Sequence, residues 1–274
     1  MPLMKISLNV LLVLGLFGMG TVTPTVAQPL TEQATAVCDQ LWEDGKTVVL
    51  SPLQWQRDEW QKAGLVVVLA AGLYSQDQAI RDTIQARRNA SSDRLADWVR
   101  PFGEGQYTLP LLAGFYYYGR RNEDEQASKV AVWGTESFLV SSAVTLGLKT
   151  VAHRHRPNTG ARYDTWDGPD FSLDNDSFPS HHTASAFAVA TVVATVYREQ
   201  RWIPVLAYST AALTGWSRMN DDVHWASDVF VGAVIGYYTA KTIMARSSRE
   251  SQTAQFEVRP NPDGSMGVVY RIRF

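Results

Sequence analysis

"SRMNDDVHWASD", running from Ser217 to Asp228, sets an arginine, a histidine six residues later and an aspartate four after that in one short run. Residues four apart on a helix share a face, so the spacing lets the Asp228 carboxylate bond one nitrogen of the His224 ring. Such a bond fixes the tautomer and leaves the other nitrogen to attack or to accept a proton. "NDD" (Asn220–Asp222) reads as a helix start with Asp221 or Asp222 as N-cap. His224 then falls in the first turn, and Arg218 precedes the helix within reach of the same pocket. Taken alone, the stretch reads as readily as an exposed His–Asp pair at a helix end.

Two other clusters lie upstream. In "KTVAHRHRP" (Lys149–Pro157), Lys149 and Arg156 are seven apart, two helical turns, and project from one face, with Pro157 marking the helix end. Two cations beside an apolar helix call for an anion, and phosphate satisfies both. A basic helix end favoured by its dipole is the plainer alternative. His153 and His155 diverge at i, i+2 and are read as structural or solvent-facing rather than as metal ligands. In "FPSHHTAS" (Phe178–Ser185), Ser180 is a natural N-cap whose helix follows a long loop. Free amides at such a start bind anions, and His181 and His182 add a proton donor. An ordinary cap with incidental histidines is the alternative.

Around these clusters the chain reads as all-α. Charge-free apolar runs recur at Ala63–Tyr74, Gly105–Gly119, Thr183–Tyr197, Trp202–Ser217 and Val229–Ala240, and Val130–Leu148 is broken only by Glu136. They show little alternation, which favours buried helices. A hydrocarbon span takes about 20 residues, so most of them read as core helices of a bundle in a soluble or membrane-surface protein. Arg156–Ser180 is the longest turn-rich stretch; its aspartates (Asp164, Asp167, Asp170, Asp174, Asp176) do not fit a calcium loop and read as a solvated face. The tail, "QFEVRPNPDGSMGVVYRIRF", alternates apolar residues on either side of Pro262-Asp263-Gly264, a short β-hairpin signal.

The 274 residues, 45% hydrophobic, suit one compact domain with appendages, and a formal net charge of -2 gives no reason to expect a nucleic-acid partner. Lys5, the apolar Val10–Met19 and Thr25-Val26-Ala27 before Gln28 read as a signal peptide over residues 1–27. That predicts export to the periplasm or cell envelope; an uncleaved anchor is the other reading. The lone Cys38 reads as a small buried residue and cannot form an internal disulfide.

In order, Lys149-x6-Arg156-Pro157, Pro179-Ser180-His181-His182 and Ser217-Arg218-x5-His224-x3-Asp228 resemble the three-part signature of the type 2 phosphatidic acid phosphatase and vanadium haloperoxidase superfamily, which includes bacterial non-specific acid phosphatases. One position departs: His181 stands where the family usually has glycine, so its side chain must find room or point to the substrate mouth. The resemblance implies a helical bundle of that type over residues 28–250, with 251–274 as the hairpin tail. It also implies hydrolysis of phosphate monoesters or lipid phosphates without a metal. His224 would be the nucleophile that becomes phosphohistidine, Asp228 its orienting group, and His182 the acid and base. Lys149, Arg156, Arg218, Ser180 and the amide of His181 would hold the phosphate oxygens. The expected partner is a phosphorylated small molecule or lipid phosphate, with a membrane surface close by; the oligomeric state is not legible. Two alternatives share these residues: a haloperoxidase holding vanadate as its cofactor, and a non-catalytic phospholipid-binding envelope protein.

Overall fold

A computed structural model describes residues 30–170, 177–260 and 266–272. The predicted signal peptide therefore lies outside the described residues, as do Asp174 and Asp176 of the acidic loop. The described chain is dominated by eight helices: α1 (Leu30–Leu50), α2 (Arg57–Arg87), α3 (Ala90–Val99), α4 (Gly105–Asn122), α5 (Glu125–Ala152), α6 (His181–Val196), α7 (Trp202–Asn220) and α8 (Ala226–Thr253). The expected all-α architecture is present.

Local chemistry accounts for the helix starts. Asn89 caps α3 by accepting from the Ser91 and Ser92 amides (2.9 and 3.2 Å), and Asp124 caps α5 by accepting from Ala127 (3.0 Å). The α6 sequence is small and apolar on every side, which suits a helix surrounded by others. It packs against α5, α7 and α8. Leu112 of α4, Val130 of α5, Val192 of α6 and Met244 of α8 meet in the core behind the site.

The α6–α8 contact sets the site's geometry. A Cβ added at Gly232 would stand 2.5 Å from the Ser180 carbonyl, and one at Gly236 2.1 Å from that of Ala184. Only glycine lets the two backbones approach so closely. Asp228 lies one turn before Gly232 on the same face of α8, and its carbonyl accepts from the Ser180 amide at 3.1 Å. The start of α6 is thereby fixed to the start of α8.

Four expectations change. Asn220–Asp222 does not begin a helix: α7 continues through Arg218 to Asn220, Asp222 takes a left-handed φ of 59°, and α8 starts at Ala226. Asn and Asp tolerate that conformation as well as they cap helices, so the run is equally suited to ending one. Lys149 and Arg156 are not on one continuous helix, because α5 ends at Ala152 with His153 left-handed at φ 41°. Cys38 is exposed on α1. The fourth concerns the apolar runs: α2 is 31 residues long, its most apolar window is only 6% buried, and Leu65, Val67 and Val68 face outward. It is not a core helix. Helices α2 and α5 are both long and apolar enough to cross a membrane.

Candidate active site

One cavity of about 440 Å³ gathers the reactive residues of all three clusters. Lys149 and Arg156, His181 and His182, and Arg218 and His224 line it together with Thr145 and Leu146. Lys149 comes from the last turn of α5, the two histidines from the first turn of α6 and Arg218 from the last turn of α7. His224 comes from the loop into α8. Helix starts offer amides without intrahelical partners, so the His181 end of α6 adds to the positive lining.

The imidazole of His224 is buried, and its Nδ1 lies 2.6 Å from the Ser177 carbonyl. A carbonyl only accepts, so Nδ1 carries the hydrogen and Nε2 keeps a bare lone pair in the neutral ring. The hydrogen bond expected from Asp228 is not formed: its Oδ2 stands 3.9 Å from Nδ1. Residues 221–225 are not helical, so helical i, i+4 geometry does not apply there.

Asp228 acts one step back. Its Oδ2 accepts from the Ser177 hydroxyl (2.6 Å) and the Trp225 amide (2.9 Å), and its Oδ1 accepts from Arg154 Nη1 (2.5 Å). The carboxylate therefore ties together the residue whose carbonyl holds His224 and the residue that follows His224. Arg154 is wholly buried and donates through Nη2 to Asp77 Oδ2 at 2.7 Å. Asp77 of α2 also accepts from the Ser227 amide (2.9 Å) and hydroxyl (2.5 Å). Further along α2, Arg81 holds Asp222 by two bonds of 2.7 Å. The sequence reading missed Asp77, Arg154 and Ser177. Arg154, flanked by two histidines inside the basic cluster, was the only one with a visible signal.

The other expected residues divide. His182 Nε2 lies 3.8 Å from the Glu104 carboxylate, a neighbour the sequence did not point to. The His181 side chain finds room against Thr145, whose hydroxyl is 3.3 Å from Nδ1, and edge-on to Phe138. It faces the cavity, which resolves where a side chain goes at the usual glycine position. Ser180 caps α6 by position but is fully buried, and its hydroxyl accepts from Thr183 at 2.9 Å instead of lining the cavity. Arg218 donates to Asp221 and, through Nε, to the Ser217 hydroxyl at 3.2 Å.

Burial, reinforced by Arg218 and the other cations around it, pulls His182 down to about 3. Burial and then Lys149 and Arg156 lower His224 well below the ordinary histidine range. Burial also lowers Arg218, and it raises Asp228 against the opposing pull of Arg154. The rings of His182 and His224 are therefore neutral at pH 7 before an anion enters. A bound dianion stabilises the charged ring, so filling the cavity moves His182 upward and takes protons from solution. Calorimetric titration with sulfate, which has no proton to give, in buffers of different ionisation enthalpy should read net proton uptake. Proton release would contradict the charge arrangement.

Residues 131–251 match the PAP2 superfamily. The chain is 37% identical over 134 residues to a lipid A 1-phosphatase of Porphyromonas gingivalis, covering 47% of this chain and 26% of that protein. It is 28% identical over 195 residues to a probable lipid phosphate phosphatase 4 of Arabidopsis thaliana, covering 56% of this chain and 62% of that one. The chain thus spans less than two thirds of either curated relative. Among solved structures, the crystal structure of Aquifex aeolicus LpxE superposes with a TM-score of 0.48 at 25% identity, covering 62% of this chain and 94% of that chain. The matched segment contains every residue of the three ordered clusters, from Lys149 to Asp228, and it is this segment that matches the PAP2 superfamily.

Proposed function

We propose that the protein is a phosphatase that hydrolyses phosphate monoesters, lipid phosphates foremost, through a phosphohistidine on His224 and without a metal. The observation that carries this reading is the convergence of Lys149, Arg156 and Arg218 with His182 and His224 on one cavity. Phosphoryl transfer asks mainly for positioning and charge stabilisation, which three cations supply.

His224 Nε2, bare because Ser177 holds the hydrogen at Nδ1, attacks phosphorus opposite the ester oxygen. The P–N bond forms as the P–O bond breaks, and protonated His182 gives the leaving oxygen its proton. The entering phosphate raises His182 enough to carry that proton, with Glu104 adding to the pull. His182, now neutral, takes a proton from water, whose oxygen displaces His224 and releases phosphate. Asp228 is a positioning residue in this scheme, acting through Ser177. Lys149, Arg156 and Arg218 hold the equatorial oxygens. The His181 amide joins them, and Ser180 supports the α6 start.

Lipid phosphates come first because the two curated relatives are named for lipid substrates. The outward apolar residues of α2, with Trp202, Val205 and Leu206 on α7, also suit a protein lying against a membrane. Residues 28–250 form the catalytic domain in this reading, supported by the bonds from α2 to the site. The antiparallel pairing of Ala254–Pro260 with Met266–Ile272 supports a hairpin tail. Export to the cell envelope rests on the N-terminal 27 residues.

Hydrolysis of a chromogenic phosphate ester and of phosphatidic acid in excess chelator tests the proposal. Full activity is expected. A loss restored by one metal ion defeats the metal-free scheme, and bromide oxidation with vanadate and peroxide in place of hydrolysis replaces it with a haloperoxidase.

A further inference from the structure

A second cavity, of about 610 Å³, lies between α1 and α5. Leu41, Gly45 and Val49 face Leu139, Val144 and Gly147 across it, and among the described residues Lys46 is the only charged one in its lining. On α5, Leu139, Val144 and Gly147 border this groove, whereas Ser142, Thr145 and Lys149 border the phosphate cavity on the other side of the helix. Ala143 lines both.

The geometry points to this groove as the seat of the hydrocarbon chain of a lipid phosphate whose head lies in the cationic cup. The inference rests on the phosphatase reading above and adds where the chain goes. From Leu139 to Leu148 the groove follows α5 for about 14 Å, long enough to take a substantial part of an acyl chain. Glycine inside a helix costs about 1 kcal/mol relative to alanine, yet α1 keeps Gly45 and α5 keeps Gly147. A Cβ added at either meets nothing within 4 Å, so both glycines leave open space in the groove. Another apolar cavity, of about 410 Å³ between Tyr107 and Leu111 of α4 and Val193 of α6, shares no lining residue with the cup. The lining residue it shares with the cup, Ala143, singles out the α1–α5 groove.

Two measurements test this. Leucine at both glycines (Gly45→Leu, Gly147→Leu) fills the groove. In mixed micelles it should lower the ratio of kcat/KM for palmitoyl over hexanoyl phosphatidic acid about tenfold, the equivalent of two buried methylenes. An unchanged ratio, including an equal loss on both lipids, overturns the assignment. Independently of turnover, a non-hydrolysable palmitoyl phosphonate with a photoreactive chain end should label α1 and α5. Labelling confined to the Tyr107–Leu111 face, or a groove closed by a second copy of the chain, also overturns it. If the unaltered protein hydrolyses neither lipid, the phosphatase reading fails, and the photolabel still decides where the chain lies.

Discussion

Replacing His224 with alanine removes phosphate-ester turnover, with kcat expected to fall by at least about 10⁴-fold. No other group in the cavity stands in for it. His182 is needed for the proton, the His181 ring is engaged with Thr145 and Phe138, and the cations present no lone pair. The cup itself should survive, because Lys149, Arg156 and Arg218 are held by elements other than the loop that bears His224. Inorganic phosphate or vanadate therefore still binds, with an affinity lowered by no more than about tenfold. The His182→Ala variant gives a different signature. It should form phosphohistidine from an ester with a good leaving group and then stall, since no base activates water. Rapid quench with a radiolabelled ester separates the two: label stays on the His182 variant and is absent from the His224 variant. Normal hydrolysis by the His224 variant would refute the assigned nucleophile.

The residues in that experiment were legible because phosphoryl transfer restricts which side chains can serve it. Three cations, two imidazoles and a carboxylate at ordered spacings stood out against a chain of apolar helices. The helix in which each sits was less legible. Asn220, Asp221 and Asp222 are short polar residues that can open a helix or close one, and only the packing of α7 decides between them. The imidazole's true partner could not be read at all. It is a backbone carbonyl, which every residue owns, delivered at Ser177 from 47 positions away. Asp77 was hidden for a related reason. It is one acidic residue in a long helix, and its meaning comes from burial beside Arg154 and Ser227 after α2 docks. The outward face of α2 likewise escaped the sequence reading, because an apolar run of 12 residues does not reveal whether other helices or lipid will cover it.

Arg154→Ala should be the most damaging substitution outside the cavity, costing about 3–5 kcal/mol of stability. Arg154, Asp77 and Asp228 are all wholly buried, and one guanidinium offsets two carboxylates. Its planar fork gives Nη1 to Asp228 and Nη2 to Asp77, and Nε and Nη2 to the Tyr163 carbonyl. Its face stacks within about 5 Å of the Tyr74 and Trp166 rings. Alanine leaves two carboxylates without their cation in a dry site and opens a cavity between aromatic rings. Lysine restores the charge but cannot bridge both acids in one plane, so Arg154→Lys should recover only part of the loss. Asp77→Asn should be milder than Arg154→Ala, because it removes a charge while keeping an acceptor for Ser227. Denaturant unfolding of the three variants should rank them in that order, with Arg154→Ala lowest. The network also makes a kinetic claim. Asp228 holds Ser177, and Ser177 holds His224, so Asp77→Asn should lower kcat more than it raises KM. Arg154→Ala losing under 1 kcal/mol, or Asp77→Asn acting on KM alone, would show that the buried triad does not govern the imidazole.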